Sequence, residues 1–485
     1  MAGPVTRAAL WVLGLGTALR IALAAWLPLG TDETYAIAVA REFSWSFFDH
    51  PPIGFWLPVA MANLTGLETA FIYRLPFLLC GFVTAVCVWR LGNIIGGARA
   101  AFASLLLFTL APYMLIGGGV FVVPDGPLNM FLALSALALI RALSSNRMAD
   151  WATTGLWLAF AMGCKYQAGL FPISVLAFLL LTRAQWRRML GLGPWLAAAI
   201  GLLGLTPVIL WNLQNDWASL SFHTGRVGAS FQPANFAQMM VGQAIYLIPA
   251  TFVFAVIALW QATRRDATLE TRLLAWIAIG PIGMFMITYI YGTSTFPHWT
   301  MPGWLFAIPL AGHWLATRTG HWAWRSLAGT AVPLWALLIV LIVHVPTGML
   351  TRGAEVIPDW DDTTEIFDYA ELGDALNSAG WLSPDSLLVS LDWIEAGHLS
   401  TGLKGVYPIR VIGNAPHHFQ YMRGADMTEN AVLLVPGRGK RYARDIASVD
   451  QIAAAAGARL EPLGEIILPR ADRPYMNVAA FRVIW

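Results

Sequence analysis

Lys165 is the only lysine ahead of Lys404 in a chain that otherwise uses arginine. It stands in Cys164-Lys165-Tyr166-Gln167, a short break between two apolar stretches where nothing about topology requires it. Comparable breaks hold Thr31-Asp32-Glu33-Thr34-Tyr35, Phe48-Asp49-His50-Pro51-Pro52, Pro124-Asp125-Gly126-Pro127 and Phe296-Pro297-His298-Trp299. Another runs from Trp211-Asn212 and Asn215-Asp216-Trp217 through His223 to Arg226. Each piece alone has an ordinary structural reading. Asp32-Glu33 complements the dipole of a helix start. The Pro51-Pro52 pair makes a rigid turn. His298, Trp211 and Trp217 fit an interfacial aromatic belt. As a set they offer more. A carboxylate can orient or deprotonate a hydroxyl, cations can hold a phosphate, and apolar helices can hold a tail. That combination suits an amphiphilic phosphorylated substrate.

The elements that carry these residues are membrane helices. Apolar residues make up 57% of the 485, charged residues 12%, and mean hydropathy is +0.61. An ordinary soluble domain is about 25% charged. This composition excludes a disordered chain, a nucleic-acid binder and a cytosolic enzyme of the usual make. Apolar stretches of spanning length run almost unbroken to residue 346, and we read about eleven of them: 7–28, 69–91, 100–116, 127–143, 151–163, 168–183, 191–211, 239–260, 273–291, 301–316 and 326–346. The first is too long for a signal-peptide core and is expected to remain as a helix. Cys80, Cys87 and Cys164 form no metal or disulfide framework and read as small buried hydrophobes.

Arginines gather in one set of loops, with Arg90, Arg99, Arg183, Arg187, Arg188, Arg264 and Arg272 among them. By the positive-inside rule that set is cytoplasmic, so the N-terminus lies inside and the C-terminal segment outside. The carboxylates lean the other way: Asp32, Glu33, Glu42, Asp49, Glu68, Asp125 and Asp216 fall in outer loops. Acids contribute little to topology, so their gathering suggests a site on that face. The first outer loop, residues 30–68, is expected to hold interfacial amphipathic helices, the first opening at Thr31. The expected organisation is a transmembrane domain over 1–346 and a small α/β domain over 347–485. In the latter, 386–391, 431–435 and 478–484 read as buried strands, and 364–379 and 445–456 as helices.

These motifs, with Arg74-Leu75-Pro76 and Pro302, resemble bacterial family 39 glycosyltransferases. This is the protein-mannosyltransferase and aminoarabinose-transferase group with the GT-C fold. The resemblance covers about residues 10–305 in order; no motif of it reaches the C-terminal domain. It implies a multi-pass enzyme of the bacterial inner membrane, its C-terminal domain periplasmic. The donor would be a polyprenyl-phosphate-linked sugar and the acceptor a lipid, glycan or protein. It places the catalytic acid at Asp32, with Glu33 beside it. Lys165, His50, Arg226 and His298 are then the candidates for the donor phosphate, and Asp49, Asp125, Tyr35 and Tyr166 for the rest of the substrate. One departure is visible. Where the aminoarabinose transferases have an acid and a lysine before the proline, this chain has Asp49-His50. These residues fix no cofactor, but Glu33, Asp49 and His50 in one loop could hold a divalent cation. Competing readings are a polytopic transporter or lipid flippase with an outer domain, and a non-catalytic assembly or sensor protein. The reading as an enzyme requires the distant motifs to converge on one cleft.

Overall fold

The computed structural model describes residues 3–183, 185–225, 231–264, 266–291 and 296–485. It is mainly helical, with one five-stranded sheet near the C-terminus. Two compact units are present. The first gathers Met1–Ala24, Trp45–Gly54 and Arg74–Ala336, the second Ala25–Ser44, Phe55–Tyr73 and Leu337–Trp485.

The first unit is a helical bundle around an apolar core that includes Phe108, Leu128, Trp151, Phe178 and Phe306. Five described helices are long and apolar enough to cross a membrane alone: Pro4–Trp26, Ala70–Leu110, Asp125–Ser145, Leu269–Ile290 and Trp322–Thr347. The chain is a multi-pass membrane protein. Two further pairs qualify when each is taken as one bent span, giving up to seven. Other expected stretches are shorter helices, Met148–Met162, Leu170–Leu181 and Met301–Ala316.

Several expected stretches are broken, for local reasons. Ala70–Leu110 departs from helical angles at Gly96 and Gly97, which separates the two stretches expected there. The stretch expected over 100–116 stops at Leu110, because Pro112 cannot extend that helix; a short turn, Pro112–Leu115, follows. The expected 239–260 span is Pro233–Leu247 and Pro249–Ala262, bent by 106°. Pro249 lacks the amide a continuous helix needs, and Ile248 before it has left the helical region, at φ +71 and ψ 131.

In the second unit the sheet order is β2-β1-β3-β5-β4, with β1 Leu387–Ser390, β2 Ile409–Val411, β3 Ala431–Gly437, β4 Arg459–Arg470 and β5 Arg473–Ile484. β1 pairs in parallel with β2 and β3, whereas β5 pairs antiparallel with β3 and β4. Leu387, Val389, Leu433 and Val435 pack on one face with Val449 and Ala453 of helix Gly439–Ala455. That helix begins six residues before the expected 445, and the expected 364–379 helix is only a turn at Thr364–Ile366 and a helix at Leu372–Ala379. Helix Thr31–Ala40 belongs to this unit. It was expected to keep one face in the interface, yet Glu33 through Ala40 are all buried. Helix Trp393–Gly402 covers it closely enough that a Cβ on Gly397 would lie 2.8 Å from the Tyr35 nitrogen.

Candidate active site

In the first unit, two backbone contacts assemble the site. The Ile53 amide donates to the Gly163 carbonyl at 2.9 Å, and a Cβ on Gly54 would stand 2.9 Å from the Pro124 Cα. The corner made by Pro51-Pro52 is thereby docked onto the segments that carry Asp125 and Lys165. Asp125 opens helix Asp125–Ser145, where a carboxylate complements the dipole. Lys165 occupies an extended residue between the helix ending at Met162 and the turn Tyr166–Gly169. The break between half-helices turns its side chain inward.

Lys165 Nζ donates to Asp125 Oδ2 at 2.8 Å, and both residues are buried. The pair sits beside His298, whose ring stacks on Tyr113 with centroids 6.1 Å apart. Tyr113 is buried against Asp125, and burial, then the Asp125 charge, pushes its hydroxyl well above the ordinary range. His298 is lowered to about 4, first by burial and then by the Lys165 ammonium. It is therefore neutral near pH 7 and offers a hydrogen bond rather than a charge. Its turn is held by Gln243, which accepts from Thr300 Oγ1 at 2.9 Å and Trp304 Nε1 at 2.6 Å.

The Asp49-His50 pair lies 3.5 Å apart in the same unit, within electrostatic reach of His298 in the case of His50. His223 Nε2 meets the Asp49 carbonyl at 3.0 Å and packs edge-on against Tyr166 at 4.8 Å. The Tyr166 hydroxyl hydrogen-bonds Ser219 Oγ at 2.7 Å. Asp49, His50, Asp125, Lys165, Tyr166 and His298 thus form one neighbourhood, joined by His223, which the motif segment held without a role, and by Tyr113 and Ser219, which the motifs did not reveal. Tyr113 was hidden inside an apolar stretch, and its only signal was the preceding proline. Arg226 lies outside the described residues.

The remaining candidates are in the second unit. Asp32 is exposed on the first turn of helix Thr31–Ala40. Glu33 is buried, and its Oε2 accepts from the Gly30 amide at 2.9 Å. The Tyr35 ring packs on Phe55, Trp393, His417 and Phe419, and its hydroxyl accepts from the His418 amide at 3.2 Å. Among the described residues no group of three His, Cys, Asp or Glu side chains is arranged to hold a metal ion.

Chemically, the first-unit cluster can hold an anion: a charged lysine, a neutral histidine and a tyrosine hydroxyl surround one buried carboxylate. Residues 49–211 match the family model described as dolichyl-phosphate-mannose-protein mannosyltransferase. The fold is that of ArnT from Cupriavidus metallidurans. Its likeness to apo ArnT has a TM-score of 0.67 at 15% identity, covering 99% of this chain and 98% of that one. The ArnT structure bound to undecaprenyl phosphate gives 0.63 at 16%, covering 97% of each. No curated protein matches the sequence.

Proposed function

We propose that this protein is a glycosyltransferase that moves a sugar from a polyprenyl-phosphate donor to a hydroxyl of a lipid, glycan or protein, with inversion. The reaction takes place at the periplasmic face of the bacterial inner membrane, with the N-terminus in the cytoplasm. The acceptor oxygen forms the new bond to the anomeric carbon while the bond from that carbon to the phosphate oxygen breaks. The acceptor proton passes to Asp32, and the bonding pair leaves with the carrier phosphate. The leaving phosphate changes from a diester with one charge towards a monoester dianion. Groups that hold the dianion better than the diester lower the barrier.

The buried Lys165–Asp125 pair carries this reading. A lone charge would be costly there, and Asp125 offsets that cost and aims the lysine. Lys165 supplies charge to the phosphate, while His298 and His50 add hydrogen bonds to its oxygens; Arg226 is assigned to the same group by its motif. Asp49, Asp125 and Tyr166 shape the pocket for the sugar. The likeness to an ArnT structure holding undecaprenyl phosphate supports a carrier of that class. The reading requires Asp32 and Lys165 to act on one substrate molecule.

The deciding experiment incubates the purified chain in lipid with a polyprenyl-phosphate sugar and an envelope extract. A transferase releases free carrier phosphate and a modified acceptor. Intact donor after prolonged incubation, or mere movement of donor between leaflets, would reject transfer.

A further inference from the structure

The C-terminal sheet has a topological switch point. From β1 the chain passes through helix Trp393–Gly402 to β2 on one side. From the adjacent β3 it passes through helix Gly439–Ala455 to β4 on the other. Neighbouring parallel strands whose connections diverge leave a crevice at their carboxyl ends, which is where ligands bind in open α/β sheets. An open cavity of about 20 Å³ lies there, lined by Ile394, Glu395 and His398 from one helix start and Pro436, Gly437, Arg438 and Arg441 at the other. It holds about one or two water-sized groups.

Helix Gly439–Ala455 begins with an unusual charge. Its cap, Arg438, provides no side-chain hydrogen bond, and its first turn holds Lys440 and Arg441 with no acid. Cations at the positive end of a 17-residue helix are unfavourable by themselves. Arg438 is committed to the carbonyls of Asp361 and Pro358 and to the face of Tyr475. Arg441 is not: its contacts with Asp392 and Asp445 are 3.6 and 3.7 Å, longer than hydrogen bonds. Across the crevice Glu395 is 4% exposed, and its Oε2 is buried with no hydrogen-bond partner. Burial, then the Asp392 charge, pushes its carboxyl well above the usual range, towards the protonated form that can donate. His398, lowered to about 4 by burial and then Arg441, is neutral. The remaining charge on the lining is the exposed Glu365.

We propose that this crevice is an oxyanion site of the C-terminal segment, taking a phosphate group presented from solvent onto Arg441, Glu395 and the first-turn amides of helix Gly439–Ala455. Two donors with unused capacity and an uncapped helix start are what such a group needs. The small cavity admits one or two oxygens, so the rest of the ligand projects outward. The site is separate in sequence from the transfer residues, and its occupancy is read without measuring transfer.

Hydrogen–deuterium exchange of the full chain in detergent, with inorganic phosphate against chloride at equal ionic strength, tests it. Phosphate should slow exchange over 438–442 and 393–396, and chloride should not. Arg441→Gln should raise the phosphate needed for half-protection about tenfold or more. Arg459→Gln, at an exposed strand position outside the crevice, should retain protection and serves as the folded control. Nanodiscs containing phosphatidylglycerol rather than phosphatidylcholine form the second arm. Protection there alone assigns the phosphate to a lipid headgroup, and protection by free phosphate assigns a soluble source. Equal effects of phosphate and chloride with no headgroup effect, or protection unchanged in Arg441→Gln, overturn the proposal.

Discussion

Lys165 can be tested in a way that separates its electrostatic support of the fold from its part in transfer. It is 8% exposed and its partner Asp125 4%, so solvent does little to screen either charge. Lys165→Ala leaves a buried carboxylate without its 2.8 Å partner, a loss that costs about 3–5 kcal/mol of stability in comparable pairs. Asp125→Ala strands the ammonium at a similar cost. The double variant removes both charges and should recover most of the loss, because a buried pair is worth little net. Turnover should behave differently. A preorganised group on the leaving phosphate is worth about 3–4 kcal/mol, which is about two to three decades in rate. Lys165→Ala should therefore lose that factor, and the double variant should not regain it. Thermal unfolding in one lipid composition gives the stability cycle, and release of carrier phosphate at saturating donor gives the rates. If the double variant transfers at the wild-type rate, Lys165 is a structural partner of Asp125 and the leaving-group assignment is wrong.

Asp32→Asn should lower kcat by about two decades or more with a smaller change in KM, as expected for a general base, and an unchanged kcat would remove Asp32 from the reaction. Tyr35→Phe deletes the hydroxyl that accepts from the His418 amide, so it should cost about 0.5–1.5 kcal/mol of stability and leave kcat alone; a large fall in kcat without loss of stability would show instead that the hydroxyl touches substrate. Asp361 tests the C-terminal unit. It receives both arms of Arg470 at 2.9 and 2.6 Å, with His344 at 2.9 Å. Burial alone would raise its carboxyl, but the bonds from Arg470 and Thr351 prevail and hold it at about 2. A depressed carboxyl gives stability that is full above its unfolded value of 3.8 and is lost as pH falls towards 2. Asp361→Asn should be less stable at pH 7 and show a flatter stability profile over that acid window, measured by thermal unfolding.

Legibility in the sequence follows the range of the interactions involved. β1, β3 and β5 were readable because short runs such as Leu387–Ser390 carry β-branched and aliphatic residues bounded by polar turns. The spans were readable because lipid demands about 20 apolar residues. Hydropathy does not register a missing amide, however, so the bend at Ile248 and the end of the helix before Pro112 escaped, and with the latter Tyr113. The start of helix Gly439–Ala455 escaped because Gly437-Arg438-Gly439 reads as a turn. Helix Thr31–Ala40 shows the opposite failure. Small and aliphatic residues surround it on all sides, which leaves a surface helix and a fully covered one indistinguishable until the covering helix, 393–402, is known.

The same reasoning explains why the motif list contained the right kinds of residue without their arrangement. Asp125 and Lys165 are 40 positions apart, and each alone has an adequate local purpose, one as a helix-start acid and the other as a charge in a loop. What makes them a pair is a third segment whose own residues are chemically silent. Ile53 offers only a backbone amide and Gly54 only the absence of a side chain. A change there, such as Gly54→Ala, would introduce a carbon 2.9 Å from the Pro124 Cα and push the Asp49-His50 corner away from the lysine. The chemistry of this protein therefore depends on positions that no search for catalytic residue types would select.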